Sequence, residues 1–226
     1  MSLGAPCAAQ EVDVPTAPTL PDAGDGRGGL FAPSAWLTLI TPVHKQIDLK
    51  LSGFYIGDLE VPVAQVDVPI RATKFLTITP SYMYSSMPAS ALNELPPRPG
   101  HFTDSYEEHQ FRIDGTVAFS IHKFEISARN MYARRFRPAP AEDMNRYRGR
   151  IGIAHPLAIH GHIWKPFASY ESFYDRIGGW NRDRVWTGVT LPLKRQVAIQ
   201  PSYMWERSDG TRDVHYVLFG LIVNTR

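Results

Sequence analysis

An all-β fold, built as one up-and-down antiparallel barrel, is what the 226-residue sequence predicts, and three observations carry it. From Ser34 to the end, apolar and polar residues alternate with period two, and no convincing helical period interrupts them. The connections between alternating segments are in turn very short and longer, the rhythm of strands that run up and then down. Segments also recur in kind. Asn145-Arg146-x-Arg148 returns 36 residues later as Asn181-Arg182-x-Arg184, with Gly152 echoed by Gly188. Ile78-Thr79-Pro80-Ser81-Tyr82-Met83-Tyr84 is matched by Ile199-Gln200-Pro201-Ser202-Tyr203-Met204-Trp205. A spacing of 36 residues is one full hairpin, so the two Asn-Arg segments are strands entering from the same, long-loop side, and the Pro-Ser-Tyr segments run the other way.

Residues 1–33 form a Pro- and Gly-rich N-terminal segment, and 34–226 form the barrel. Within the first part, Cys7-Ala8-Ala9 before Gln10 reads as the small-residue end of a cleaved export signal, the rest of which is missing or truncated. The predicted strands are 34–43, 47–57, 61–71, 75–86, 105–121, 124–137, 145–157, 161–175, 181–192, 196–208 and 212–225. The clearest is 108–121, where His109, Phe111, Ile113, Val117, Phe119 and Ile121 oppose Glu108, Gln110, Arg112, Asp114, Thr116 and Ser120. Tight turns fall at His44-Lys45, Ala72 to Lys74, His122-Lys123, His160-Gly161 and Lys194-Arg195, and the longest loop is the Pro-rich stretch 87–104. Barrels of single bacterial chains have an even count, so the expectation is about twelve strands. The twelfth comes from residues 8–18, although Pro15 and Pro18 weaken it. The N-terminus and the tight turns are expected together on the periplasmic side.

Composition excludes several classes. A net charge of +2 argues against nucleic-acid binding driven by net charge. Cys7 is the single cysteine, so there is no internal disulfide framework. No apolar run reaches the ~18 residues of a transmembrane helix, whereas a membrane strand needs only about 9–11.

Alternation alone does not say which face is inside, and a soluble barrel would bury the apolar one. Three features favour a transmembrane barrel of outer-membrane type. Several predicted strands are far longer than the roughly 5–6 residues of globular strands. Aromatics gather at the long-loop ends of the ascending strands, namely Tyr55, Tyr82, Tyr84, Tyr132, Tyr170, Tyr203 and Trp205, as in a membrane-interface girdle. The polar face carries charge of both signs, rich in arginine, whose planar fork suits paired carboxylates in a confined space. Its members include Glu108, Arg112, Asp114, Arg129, Arg146, Arg148, Arg150, Glu171, Arg182 and Arg184, the candidates for lumen and solute contact.

The chain from Trp36 onward resembles a bacterial outer-membrane β-barrel family known as domain of unknown function 2490. The residues carrying the likeness are Trp36, Glu108 with Arg112, the two Asn-Arg-x-Arg strand starts with Gly152 and Gly188, Tyr170-Glu171, and the last strand from His215 to Val223. The resemblance implies a barrel in the Gram-negative outer membrane and supplies no catalytic residues. The chain departs from common barrel endings, since Asn224-Thr225-Arg226 lacks a terminal aromatic.

The leading functional expectation is a narrow porin-like channel for small polar or anionic solutes. The competing readings are a closed structural or adhesive barrel and a soluble ligand-binding barrel. No enzyme is expected: His109, on the apolar face, lies across from about residue 136, with no nucleophile and orienting group assembled around it. No metal or other cofactor is expected either, because His160 and His162 sit in a turn without a nearby carboxylate or thiol. Mid-strand Gly53, Gly115, Gly152 and Gly188 read as bends or packing gaps. Expected partners are outer-membrane lipid and lipopolysaccharide, the solute, and the barrel-assembly machinery.

Overall fold

The computed structural model describes residues 29–57, 60–88, 105–137, 143–176, 179–208 and 213–225. These hold thirteen strands: β1 (Leu30–His44), β2 (Ile47–Ile56), β3 (Val61–Asp67), β4 (Ile70–Arg71), β5 (Leu76–Met87), β6 (Tyr106–Ile121), β7 (Phe124–Phe136), β8 (Met144–Ala154), β9 (Leu157–Ile159), β10 (His162–Asp175), β11 (Gly179–Lys194), β12 (Val197–Ser208) and β13 (Val214–Asn224). Two pairs are single spans broken at a proline. Pro69 separates β3 from β4, and Pro156 separates β8 from β9, because proline has no N–H to give the ladder. Counted as spans, eleven strands close into a ring, and each lies within a few residues of its predicted position.

Closure is made by β1. It pairs antiparallel with β2 on one side and parallel with β13 on the other, from Leu30↔Val214 to Ile40↔Asn224. An odd number of alternating strands has this consequence: the first and last point the same way. One expectation is corrected here: the count is odd, with no gap left in the ring between β1 and β13. Strand β1 starts at the long-loop end beside Val214, and the expected place of the N-terminus lies outside the described residues. The proposed strand 8–18 and most of the Pro-rich loop 87–104 lie outside the described residues.

Turn chemistry fixes the register. His160 and Gly161 both have positive φ (49° and 79°), as the two central residues of a type I′ hairpin require. The β1–β2 and β11–β12 hairpins share a bulge, at Pro42/His44 and Pro192/Lys194, on the related sequences Pro42-Val43-His44-Lys45-Gln46 and Pro192-Leu193-Lys194-Arg195-Gln196.

Inside, part of the wall is apolar. Ala32, Trp36, Phe54, Ile56, Val61, Val63, Met83, Trp186, Met204, Val214, Tyr216 and Leu218 form one cluster. Trp36 meets Trp186 edge-on at 6.0 Å, and Trp186 meets Phe167 at 5.9 Å. Glycines make the room. A Cβ on Gly220 would stand 2.2 Å from Cε2 of Trp36, and one on Gly188 would stand 2.9 Å from the Phe167 ring and 2.5 Å from Ser202 Cβ. Gly53 and Gly115, by contrast, face open space. Gly220→Ala should therefore cost about 1–3 kcal/mol, because the buried indole has to shift in a filled interior. Urea unfolding in detergent micelles measures this, and an unchanged midpoint would show that the Trp36 ring does not rest on Gly220.

Candidate functional site

The charged side chains of the sequence pattern point inward. Glu108, Arg112, Asp114, Arg129, Arg146, Arg148, Glu171, Arg182 and Arg184 are buried, and Arg150 is partly so. Exposed Phe111, Ile113, Val117, Ile151, Val185, Val217 and Phe219 cover the outside. This arrangement inverts a soluble barrel and suits a lipid surround.

Glu171 on β10 is the hub. It accepts Arg129 from β7 at 3.2 Å, Arg148 from β8 at 2.9 Å and Arg184 from β11 at 3.4 Å. Arg184 also donates through Nε to Glu206 of β12 at 2.9 Å, and Glu206 holds Arg182 at 3.4 Å. Toward the long loops, Glu108 takes Arg135 Nε at 2.7 Å and a contact from Gln110, while Asp175 pairs with Arg146 at 3.5 Å and accepts Asn181 Nδ2 at 2.7 Å. The buried ring of Phe173 lies beneath three guanidinium groups, with Arg148 4.5 Å, Arg184 4.8 Å and Arg182 5.7 Å from its centroid. On the opposite wall Asp67 joins Lys50 at 3.5 Å, Arg112 at 3.8 Å and Gln65 at 2.7 Å.

The layers follow the strand pattern. Along β10, Asp175, Phe173 and Glu171 come first from the long-loop end, and Phe167 follows in contact with Trp186. Beyond it a pocket of about 80 Å³ lies toward the tight turns, lined by Ser127, Gly152, Phe167, Ser169, Gln200 and the Lys165–Glu125 ion pair, among others.

The outer girdle is organised by hydrogen bonds between neighbouring strands. Tyr82 Oη is 2.6 Å from His109 Nδ1, Tyr84 donates to Glu107 at 3.0 Å, and Tyr170 donates to Asp183 at 2.6 Å. Tyr203 Oη is 2.5 Å from His215 Nδ1, and Trp205 donates to Asp213 at 2.9 Å. Tyr55 and Tyr132 are exposed on the same outward face. His109 faces Phe136 in register and stands within the aromatic group of Tyr82 and Tyr84. His155 stacks on Phe124 at 4.7 Å, and the described residues include no group of three His, Cys, Asp or Glu side chains arranged to hold a metal ion.

Sequence reasoning missed several members of both sets. Arg135 and Asp175 continue the inward parity of Arg129 and Glu171, a signal that was present in the alternation. Tyr147 and Trp180 join the girdle from descending strands, outside the ascending set that the aromatic pattern picks out, with Trp180 5.5 Å from Tyr174 and 6.1 Å from Tyr147.

A closed barrel with apolar side chains outside, ion pairs inside and aromatic residues grouped toward one rim is a barrel of the outer-membrane type. The chain belongs to the family described as protein of unknown function (DUF2490), whose sequence profile matches residues 56–216. No match was found among curated proteins. Among solved structures, LpxR from Salmonella typhimurium is similar in fold, with 11% identity, a TM-score of 0.50, and coverage of 80% of this chain and 84% of that one. The β domain of the Bordetella autotransporter BrkA matches at 13% identity and a TM-score of 0.44, over 75% of this chain and 78% of its own.

Glu171→Gln leaves three buried guanidinium groups short of a counter-charge and should cost about 3–5 kcal/mol. Arg148→Glu should cost at least as much, since it sets a second carboxylate beside Glu171. Unfolding midpoints of the refolded variants measure both, and wild-type stability in either would move that side chain to a solvated face.

Proposed function

We propose that this protein resides in the outer membrane of Gram-negative bacteria as a closed barrel that carries its loops at the surface, with no open conduit in its resting state. The observation that carries this reading is the burial of the inward charges. Glu108, Glu171 and Glu206 hold arginines from neighbouring strands across the interior, and the Trp36, Trp186 and Phe167 layer lies next to them. Barrels of eight strands are filled by side chains and those of about 16–18 hold water, so an eleven-strand ring sits between and its inward side chains decide. Lipopolysaccharide on one side fits the tyrosine girdle, whose rings sit at headgroup depth with polar atoms tied to acid and histidine partners. Insertion by the barrel-assembly machinery belongs to the same reading, which gives the protein no chemical reaction.

One observation favours the second reading, a narrow passage for small anions. Buried Arg146 has Nε and Nη1 without a hydrogen-bonded partner beside its pairing with Asp175.

Two measurements decide between them. The refolded protein should shift in mobility on boiling in dodecyl sulfate, the mark of a detergent-resistant barrel. In planar bilayers the wild type should be silent, whereas the double variant Trp36→Ala/Trp186→Ala should leak. Stable wild-type conductance with anion selectivity would overturn the closed reading and establish the passage. Failure to shift, with solubility in the absence of detergent, would overturn the membrane assignment itself.

A further inference from the structure

The tight-turn rim carries a charge pattern that the interior does not explain. The five turns read Val43-His44-Lys45-Gln46, Ala72-Thr73-Lys74-Phe75, Ile121-His122-Lys123-Phe124, Ile159-His160-Gly161-His162 and Leu193-Lys194-Arg195-Gln196. Every one has a lysine, arginine or histidine at its tip, and none contains a carboxylate. Of six lysines in the chain, Lys45, Lys74, Lys123 and Lys194 stand here, all exposed, with Arg195 beside the last. The nearest described acids are engaged elsewhere, Asp48 with Arg71 and Glu125 with Lys165. Among the described residues the opposite rim is mixed and carries internal pairs, with Arg134 on Asp143 at 3.1 Å and tyrosines on Glu107 and Asp183.

We propose that this ring of turn cations binds the headgroups of anionic phospholipids in the leaflet at the tight-turn end. Depth is what selects lipid over a soluble acidic partner. The outward apolar face runs right up to the cations: Val43, Phe75, Ile121, Phe124 and Leu193 are exposed and each is one or two residues from a lysine or arginine. Lys74 also lies 4.7 Å above the ring of Phe75. Residues so placed hold the ammonium groups at the level of phosphates and let the stems snorkel along the barrel wall. The shared bulge at Pro42/His44 and Pro192/Lys194 sets the two basic dipeptides His44-Lys45 and Lys194-Arg195 in the same geometry on two hairpins, with a glutamine after each. The inference rests on the membrane assignment proposed above and is independent of whether the interior conducts.

The test uses the whole refolded barrel in detergent with equimolar phosphatidylglycerol and phosphatidylcholine, and native mass spectrometry counts the lipids retained. Phosphatidylglycerol should be retained over phosphatidylcholine by roughly five-fold or more, in line with a few surface cations acting together. The variant Lys45→Gln/Lys74→Gln/Lys123→Gln/Lys194→Gln/Arg195→Gln should lose that preference and keep its mobility shift on boiling, which certifies the fold. Arg134→Gln at the other rim should keep the preference. Equal retention of the two lipids by the wild type, or an undiminished preference in the five-fold variant, would overturn the proposal. So would binding of soluble polyglutamate with no lipid preference, which would assign the ring to an acidic protein.

Discussion

A charge buried in the interior of a barrel, away from bulk water, needs a counter-charge, and here it comes from other strands of the same wall. Glu171 shows what this constraint does to the rest of the molecule. Its carboxylate serves arginines of β7, β8 and β11, so four spans are held in register by one side chain in addition to the backbone ladder. Glu206 extends the chain to β12 and Glu108 extends it to β6 through Arg135. The opposite wall, built from β1 to β3, β5 and β13, carries a smaller network, Asp67 with Lys50, Arg112 and Gln65, and buries Phe54, Ile56, Val63 and Tyr216 beside it. Methionines 83, 131 and 204 add unbranched, adaptable side chains to the same inward face.

The same division explains where glycine is needed and where it is tolerated. An aromatic layer as wide as Trp36, Trp186 and Phe167 fits a filled barrel only if facing positions lack side chains, which is the office of Gly220 and Gly188. On the lipid face Gly53 and Gly115 meet nothing, so packing places no demand on them. Sequence repetition thus conceals two roles, since Gly152 and Gly188 share a repeat and face inward whereas Gly115, also mid-strand, faces out.

Period-two alternation made the strands legible to within a few residues, because turning a strand by one position would move arginines such as Arg112 and Arg148 into lipid. The pairing His109↔Phe136 was legible too, since a two-residue turn at His122-Lys123 leaves a single register. What the alternation does not carry is how the ring closes. The β1–β13 pairing joins residues nearly the whole chain apart, with no turn between them to set direction, and the even count usual in single-chain barrels points the other way. Nor could parity say which arginine meets which carboxylate: Glu171 stands directly opposite Arg150 and Arg184 in the ladder, yet it also takes Arg129 from two strands away. Side-chain reach across a curved wall, not register, decides that.

Odd closure also gives the barrel two unlike ends. Strand β1 begins and β13 ends at opposite rims, Leu30 beside Val214 at the long-loop rim and Thr225 tied to Ile40 among the turns. The rims differ in chemistry as they do in topology: tyrosines bonded to carboxylates and histidines at one, lysines beside exposed phenylalanines at the other. Arginine follows the same logic. At Glu171, where three cations share one carboxylate, every one is an arginine, whose planar fork can approach a carboxylate in more than one way. Lysine stands mostly in the open, with four of the six at the exposed turns, and the two that turn inward, Lys50 and Lys165, meet Asp67 and Glu125.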